Sequence, residues 1–138
     1  MDITNENFAE QLPLILKSIR TADFMAYDAE FSGLSIGFDD VKHEYDAVEA
    51  KYQKYKHNCN RMNAFQVGLC TFKWNQAKKA YNARPFNFYL FPRGGLMDEN
   101  ILQFSPDCIS FLMENHFDFN KLFKSGVTYR RISDIPEM

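Results

Sequence analysis

The chain is organised around one stretch, Asp23-Phe24-Met25-Ala26-Tyr27-Asp28-Ala29-Glu30-Phe31-Ser32-Gly33-Leu34. Its apolar residues predict a buried β-strand that carries two acids near its end. Side chains alternate between the two faces of a strand, so Asp28 and Glu30 are expected on the same face. Burying a carboxylate costs free energy, and two neighbouring carboxylates also repel each other. A bound cation would relieve both costs, and Mg²⁺ prefers carboxylate oxygens.

The acid pair also has an ordinary explanation. Asp-x-Glu is a short pattern that arises often by chance, and at the end of an edge strand both carboxylates would simply be hydrated. The apolar run before the acids and the Phe31-Ser32-Gly33-Leu34 sequence after them strengthen the case for a metal site beyond what the short pattern alone supports.

The composition indicates one folded domain of 138 residues. Hydrophobic residues make up 46% and the net charge is −2, which excludes a disordered chain and gives no sign of a generally basic nucleic-acid binder. Three distant cysteines without a Cys-x-x-Cys pair argue against structural zinc and favour a reducing compartment. No secretory signal and no apolar run of ~20 residues is visible. We therefore expect an intracellular protein, in the cytoplasm or nucleus, without a membrane segment in this chain.

The residue periodicity predicts α and β elements around a short sheet. The expected elements are a helix over 4–20, a strand over 23–31, a helix over 41–56, strands over 64–74 and 85–91 joined as an antiparallel hairpin, a helix over 106–115 and a short helix over 119–124. Residues 127–138 carry no strong pattern.

Local signals refine these boundaries. Thr4 or Asn5 is expected to cap the first helix, and Pro13 to kink it or to mark its true start. Ser105 before Pro106 is typical of a helix start. Asp118 is expected to cap the last short helix.

Several stretches carry a family pattern in a fixed order along nearly the whole chain. They are Tyr27-Asp28-Ala29-Glu30-Phe31-Ser32-Gly33-Leu34, Lys51-Tyr52-Gln53-Lys54, Phe65-Gln66-Val67-Gly68-Leu69-Cys70-Thr71-Phe72-Lys73, Phe86-Asn87-Phe88-Tyr89-Leu90-Phe91-Pro92 and Phe117-Asp118-Phe119-Asn120-Lys121. Together they resemble the DEDD-type 3′-5′ exoribonucleases. More narrowly, they resemble poly(A)-specific ribonuclease and the PARN-like pre-piRNA trimmer.

The resemblance implies an α/β ribonuclease-H-like nuclease fold, of which this chain would be the N-terminal half: a three-stranded sheet core with flanking helices. Residues 1–138 would then be the first part of a single split exonuclease domain whose later part lies beyond this chain. The implied activity is Mg²⁺-dependent trimming of RNA 3′ ends, either poly(A) tails or piRNA precursors, by two-metal phosphodiester hydrolysis. The implied partner is a single-stranded RNA 3′ end, with a possible homodimer in the full-length protein and no DNA.

The resemblance also implies roles for particular residues. Asp28 would bind or bridge the metals, and Glu30 would bind one metal and orient the water. Phe31 and Leu34 would line the pocket of the terminal nucleotide, although Phe31 could instead be core on the face opposite the acids. The family residues that match Ile109 and Phe111 lie near the substrate or the dimer contact, and core packing is the alternative for at least one of them.

The family pattern is incomplete in this sequence. Its two later aspartates and its histidine are not identifiable, because Asp98, Asp107, Asp118 and Asp134 lack the flanking residues of those motifs. Two carboxylates leave most of a Mg²⁺ shell to water, so weak metal binding and little or no activity are expected from this chain alone. The alternative is a non-catalytic RNA- or protein-binding module derived from such a nuclease.

Overall fold

We describe the fold from a computed structural model, which places residues 1–34, 46–92 and 102–129. The elements, in chain order, are β1 (Asp2–Ile3), α1 (Phe8–Thr21), β2 (Phe24–Phe31), α2 (Val48–Arg61), β3 (Ala64–Asn75), β4 (Ala80–Pro92), α3 (Pro106–Glu114), α4 (Phe119–Ser125) and β5 (Val127–Tyr129).

The strands form one mixed sheet in the order β1-β4-β3-β2, with β5 also paired to β4. The pairs β2–β3 and β3–β4 are antiparallel, whereas β1 and β5 run parallel to β4. The predicted hairpin is therefore confirmed. Its strands are longer than expected, since β4 begins at Ala80 rather than at Pro85.

The first helix differs from the expectation at its start. It begins at Phe8, and neither Thr4 nor Asn5 caps it with a side chain. The Thr4 carbonyl instead accepts from the Phe8 N–H at 2.9 Å, and the Asn7 side chain accepts from the Thr4 N–H at 2.9 Å. Pro13 lies inside the helix and does not mark its start.

The second helix also lies further along the chain than predicted. It spans Val48–Arg61 instead of 41–56, and positions 41–45 of the predicted helix fall outside the described residues. Its apolar residues Val48, Tyr52 and Tyr55 are exposed, Val48 to 86% and each tyrosine to 57%. This helix therefore contributes little to the core.

The core forms on both faces of β4. On one face, α1 covers a cluster of Ile3, Ile15 and Phe86. On the other face, α3 and α4 cover a cluster of Phe65, Tyr89, Leu112 and Leu122. Alternation places Phe86 and Tyr89 on opposite faces of β4, which is why this strand reads as a continuous aromatic run.

The first long strand, β2, is not buried as the sequence suggested. Phe24 is 48% exposed, Met25 49% and Tyr27 85%. The reason is topological: β2 is the last strand of the sheet, and the two core clusters form around β4. Apolar side chains on both faces of β2 are consequently open to solvent. None of the helices in the described ranges is long and apolar enough to cross a membrane.

Candidate metal and substrate site

The acid pair lies at the mouth of a small polar cleft on the sheet. The register aligns Asp28 with Gly68 of β3 and then with Asn87 of β4, and it aligns Glu30 with Gln66. Since paired residues point to the same side of a sheet, these polar groups converge on one face. They line a cleft of about 100 Å³, and the predicted shared face of Asp28 and Glu30 follows from the register.

The electrostatics of the pair follow from its position. Burial, and then repulsion from Asp28, raise the pKa of the Glu30 carboxyl above its ordinary value. The Asp28 Oδ1 atom accepts a hydrogen bond of 2.9 Å from the Ala29 N–H, which orients that carboxylate. The direction of this pKa shift agrees with the expected repulsion between the two acids. Burial is weaker than expected, because Asp28 is exposed and only Glu30 is half-buried.

This donor set fits a hard divalent cation in part. Two carboxylates two positions apart supply oxygen ligands and a local negative charge that a cation would neutralise. Within the described part of the chain, no group of three acidic, histidine or cysteine side chains could complete the site. Of the other acids considered, Asp98 and Asp134 lie outside the described residues. Asp107 is in the first turn of α3, and Asp118 caps α4 by accepting from the Lys121 N–H at 2.9 Å.

A neighbouring lysine does not offset the charge of the acids. The Nζ atom of Lys121 is 2.6 Å from the Asp2 carboxylate and lies 5.1 Å from the centre of the Tyr89 ring. The ion pair with Asp2 raises the pKa of Lys121, so this lysine stays charged. Burial, and then Asp2, raise the pKa of the Tyr89 hydroxyl, so Tyr89 stays neutral. Among the described residues, Lys121 is thus paired with Asp2, and no lysine or arginine lines the cleft.

The chain directly after the acids is fixed by a buried junction. Ser32 is fully buried, and its carbonyl accepts from the Ser105 N–H at 2.8 Å. Its Oγ atom accepts from the Asn63 N–H at 3.0 Å. At Gly33, a Cβ atom would come within 2.8 Å of the end of the Met62 side chain, which would have to shift to make room. The junction ties the end of β2 to the starts of β3 and α3.

The four residues expected to contact substrate differ in exposure. Phe31 and Leu34 flank the buried junction and are 39% and 70% exposed in this chain. Ile109 packs against the cluster of Phe65, Tyr89, Leu112 and Leu122, which makes it a core residue. Phe111 is 55% exposed on α3.

Three cleft residues were not identified as functional from the sequence: Gln66, Gly68 and Asn87. A signal for two of them was present, since Gln66 lies between Phe65 and Val67, and Asn87 between Phe86 and Phe88. A single polar residue in an apolar strand often has a specific partner. Whether these residues lie on the same face as the acids depends on the strand register, and the sequence alone does not supply the register.

Comparison with known proteins matches residues 3–138 to the family model described as CAF1 family ribonuclease. The chain is 38% identical over 133 residues to the poly(A)-specific ribonuclease PARN of Xenopus laevis, covering 94% of this chain and 21% of that protein. It is 36% identical over 136 residues to the pre-piRNA 3′-exonuclease trimmer of Bombyx mori, covering 97% of this chain and 25% of that protein. The chain thus spans about a fifth to a quarter of the length of these relatives.

Solved structures agree at the level of the fold. The chain superposes on Pop2p of S. pombe, in its Mg²⁺- and Mn²⁺-bound form, with a TM-score of 0.66 and 20% identity, covering 91% of this chain and 47% of that one. The RNase domain of yeast Pop2 gives a TM-score of 0.59 at 17% identity over 91% of this chain and 42% of that one. The fold is therefore ribonuclease-H-like, as the sequence resemblance implied. Because the family model matches nearly the whole length of the chain, the chain belongs to the CAF1 family of ribonucleases.

Proposed function

We propose that this chain is the first part of a 3′-5′ exoribonuclease domain that uses divalent cations to hydrolyse RNA from its 3′ end. The observation that carries the proposal is the position of Asp28 and Glu30 on one sheet face, at a polar cleft, within the stretch that resembles the first exonuclease motif. Relatives named poly(A)-specific ribonuclease and pre-piRNA 3′-exonuclease support the direction of trimming and the RNA substrate.

The proposed cofactor is Mg²⁺, at two sites of which this chain supplies part. Asp28 and Glu30 would hold the cations through their carboxylate oxygens, in line with the Mg²⁺- and Mn²⁺-bound form of the Pop2p neighbour. When bound, two such cations offset the charge of the scissile phosphate and lower the pKa of the attacking water.

The residues of the chain itself have separate tasks. The charge of Asp28, on a side chain oriented by the Ala29 N–H, attracts cations to the end of β2. Glu30, whose pKa is raised, would hold and orient the water. Phe31 and Leu34 present apolar surface beside the acids, where they can stack on or pack against the terminal base.

Residues 1–138 are proposed to be the N-terminal part of the nuclease domain. The remaining acids and the histidine of the motif set would then come from segments outside this chain. Two observations support this view: the short span relative to the curated relatives, and the exposed apolar side chains on both faces of β2. The alternative, a non-catalytic RNA- or protein-binding module, is favoured by the lack of a third ligand among the described residues.

Replacing Asp28 with asparagine tests the proposal in the complete gene product. The amide keeps the shape of the side chain and removes the charge, so shortening of a 5′-labelled oligoadenylate in Mg²⁺ is expected to fall by about 100-fold or more. Binding of the same oligonucleotide in Ca²⁺ is expected to survive, because most phosphate and base contacts come from other residues.

Asp23→Asn is the matched control on the same strand. The Asp23 carboxylate accepts from Lys73 Nζ and from the Trp74 N–H, both at 2.6 Å, at the end of β2 remote from the cleft. This variant should shorten RNA at nearly the wild-type rate. Undiminished shortening by Asp28→Asn would make the acid pair structural. A wild-type protein that binds oligoadenylate without shortening it would favour the binding module.

A further inference from the structure

The cleft contains a polar group that the acid pair does not account for, the side-chain amide of Asn87. From its position we infer that Asn87 is a phosphate-binding residue, which donates a hydrogen bond to the phosphate of the RNA 3′ end across from Asp28 and Glu30. This inference rests on the proposed function, and it assigns to β4 a contact with the substrate of the same site.

The backbone of Asn87 is held by a hydrogen bond, whereas its side-chain amide has no hydrogen-bond partner within the described ranges. Its backbone N–H donates to the Met1 carbonyl at 2.8 Å, which anchors the residue between β3 and β1. Its amide makes no hydrogen bond to any other residue of the described ranges, although it lines the cleft and is only half-exposed. Phe86 and Phe88 point to the opposite face of β4, so the Asn87 amide lies on the cleft side together with Gln66 and Gly68.

Gly68 leaves room for that partner. It lies in register between Asp28 and Asn87, so these two residues are two strand spacings apart, about 10 Å between backbones. A Cβ atom at Gly68 would lie 3.6 Å from Asn87 Oδ1 and 3.9 Å from the Asp28 carbonyl. The space above Gly68 is therefore bounded by the amide on one side and by the acid-bearing strand on the other.

The groups that border this space are suited to a bound phosphate. A phosphate at the acids would be repelled unless cations lie between them, and its remaining oxygens would need donors on the opposite side. A lysine or arginine in that place would pair with Asp28 and Glu30 and compete with the cations. A neutral amide donates without that competition, and amide side chains are common phosphate donors in nucleic-acid complexes. The nearby cation, Lys121, is already paired with Asp2.

The test compares Asn87→Ala and Asn87→Asp with wild type in the complete gene product. For Asn87→Ala, the Kd for oligoadenylate in Ca²⁺ and the KM for its shortening in Mg²⁺ should rise by about tenfold, as expected for one hydrogen bond to a charged group. Mn²⁺ affinity, measured without RNA, should stay within twofold. Asn87→Asp keeps the shape but repels phosphate, so it should weaken RNA binding further while strengthening Mn²⁺ binding.

Two more variants separate a phosphate contact from a structural role. Gly68→Ala makes only ordinary van der Waals contacts, so it should fold normally yet weaken RNA binding by partly filling the cleft. Asn82→Ala changes an exposed asparagine on the opposite face of β4 and should behave as wild type.

The outcomes distinguish this inference from the proposed function. If wild type shortens RNA, Asp28→Asn does not, and both Asn87 variants bind oligoadenylate as wild type does, the assignment of Asn87 is wrong and the exonuclease stands. If wild type itself does not shorten RNA, the proposed function fails and this inference fails with it. Weaker RNA binding by Asn87→Ala, in a protein that melts like wild type and keeps its Mn²⁺ affinity, would support the inference.

Discussion

At the scale of single residues, the fold disfavours the ionised form of Glu30. Burial and the neighbouring Asp28 raise its pKa, so the folded protein binds a proton at Glu30 more readily than the unfolded chain does. The ionised form therefore destabilises the fold above the folded-state pKa. This cost disappears as the pH falls below the ordinary glutamate value of 4.5.

Glu30→Gln should accordingly be slightly more stable than wild type at pH 7, by less than about 1 kcal/mol because the group is partly solvated. The difference should vanish near pH 4, and saturating Mg²⁺ should stabilise wild type more than the variant. Urea unfolding at the two pH values measures this. A variant that is less stable than wild type at pH 7 without metal would contradict the assigned environment of Glu30.

The sequence predicted the acid pair but only part of its surroundings. Alternation along one strand is a local property, so the shared face of Asp28 and Glu30 could be read from spacing alone. Gln66, Gly68 and Asn87 join them through pairing between strands distant in sequence, and register is not a local property. The exposure of Phe31 likewise depends on how the end of β2 meets α3, at the Ser32–Ser105 contact.

At the scale of elements, close packing of α4 against β4 depends on Gly126. Its φ of −56° and ψ of 137° suit any residue, so glycine is not needed for the backbone conformation. A Cβ atom would, however, lie 2.6 Å from the Leu122 carbonyl oxygen and 2.7 Å from Phe91 Cβ. The requirement for glycine is therefore steric.

Gly126→Ala should destabilise the fold by about 1–3 kcal/mol, since α4 must move away from the strand. Gly68→Ala, whose new methyl group makes only ordinary contacts, should change stability by less than about 1 kcal/mol. Urea unfolding of both variants compares the two sites. Equal free energies of unfolding for the two variants would mean that the chain between α4 and β5 can move to admit the new methyl group. The close packing of α4 against β4 would then not depend on Gly126.

Among the elements, β3, α3 and α4 lie close to their predicted ranges, whereas β4 begins at Ala80 instead of 85 and α2 at Val48 instead of 41. The two-residue β1 and three-residue β5 are too short for a period to be read, and both exist because β4 offers them an edge. The burial of β2 was wrongly predicted, because an apolar strand at a sheet edge has the same sequence pattern as a central one.

At the scale of the whole molecule, the two core clusters stabilise β4 from both sides and leave β2 open. The acids thus lie on the least covered strand of the sheet, where solvent has access to them. The same strand exposes Phe24, Met25 and Tyr27, which is more apolar surface than a solvent-facing edge requires. An edge of this kind is suited to further protein packing beside the acids, as the proposed split domain requires.

The central claim is that Asp28 and Glu30 together hold a divalent cation at this cleft. The most direct measurement is the anomalous scattering of Mn²⁺ in crystals of the complete gene product, compared between wild type and Asp28→Asn. We expect a Mn²⁺ peak within bonding distance of both carboxylates in wild type, and a lost or strongly reduced peak in the variant. A wild-type cleft without a peak at saturating Mn²⁺, or a peak undiminished in Asp28→Asn, would contradict it.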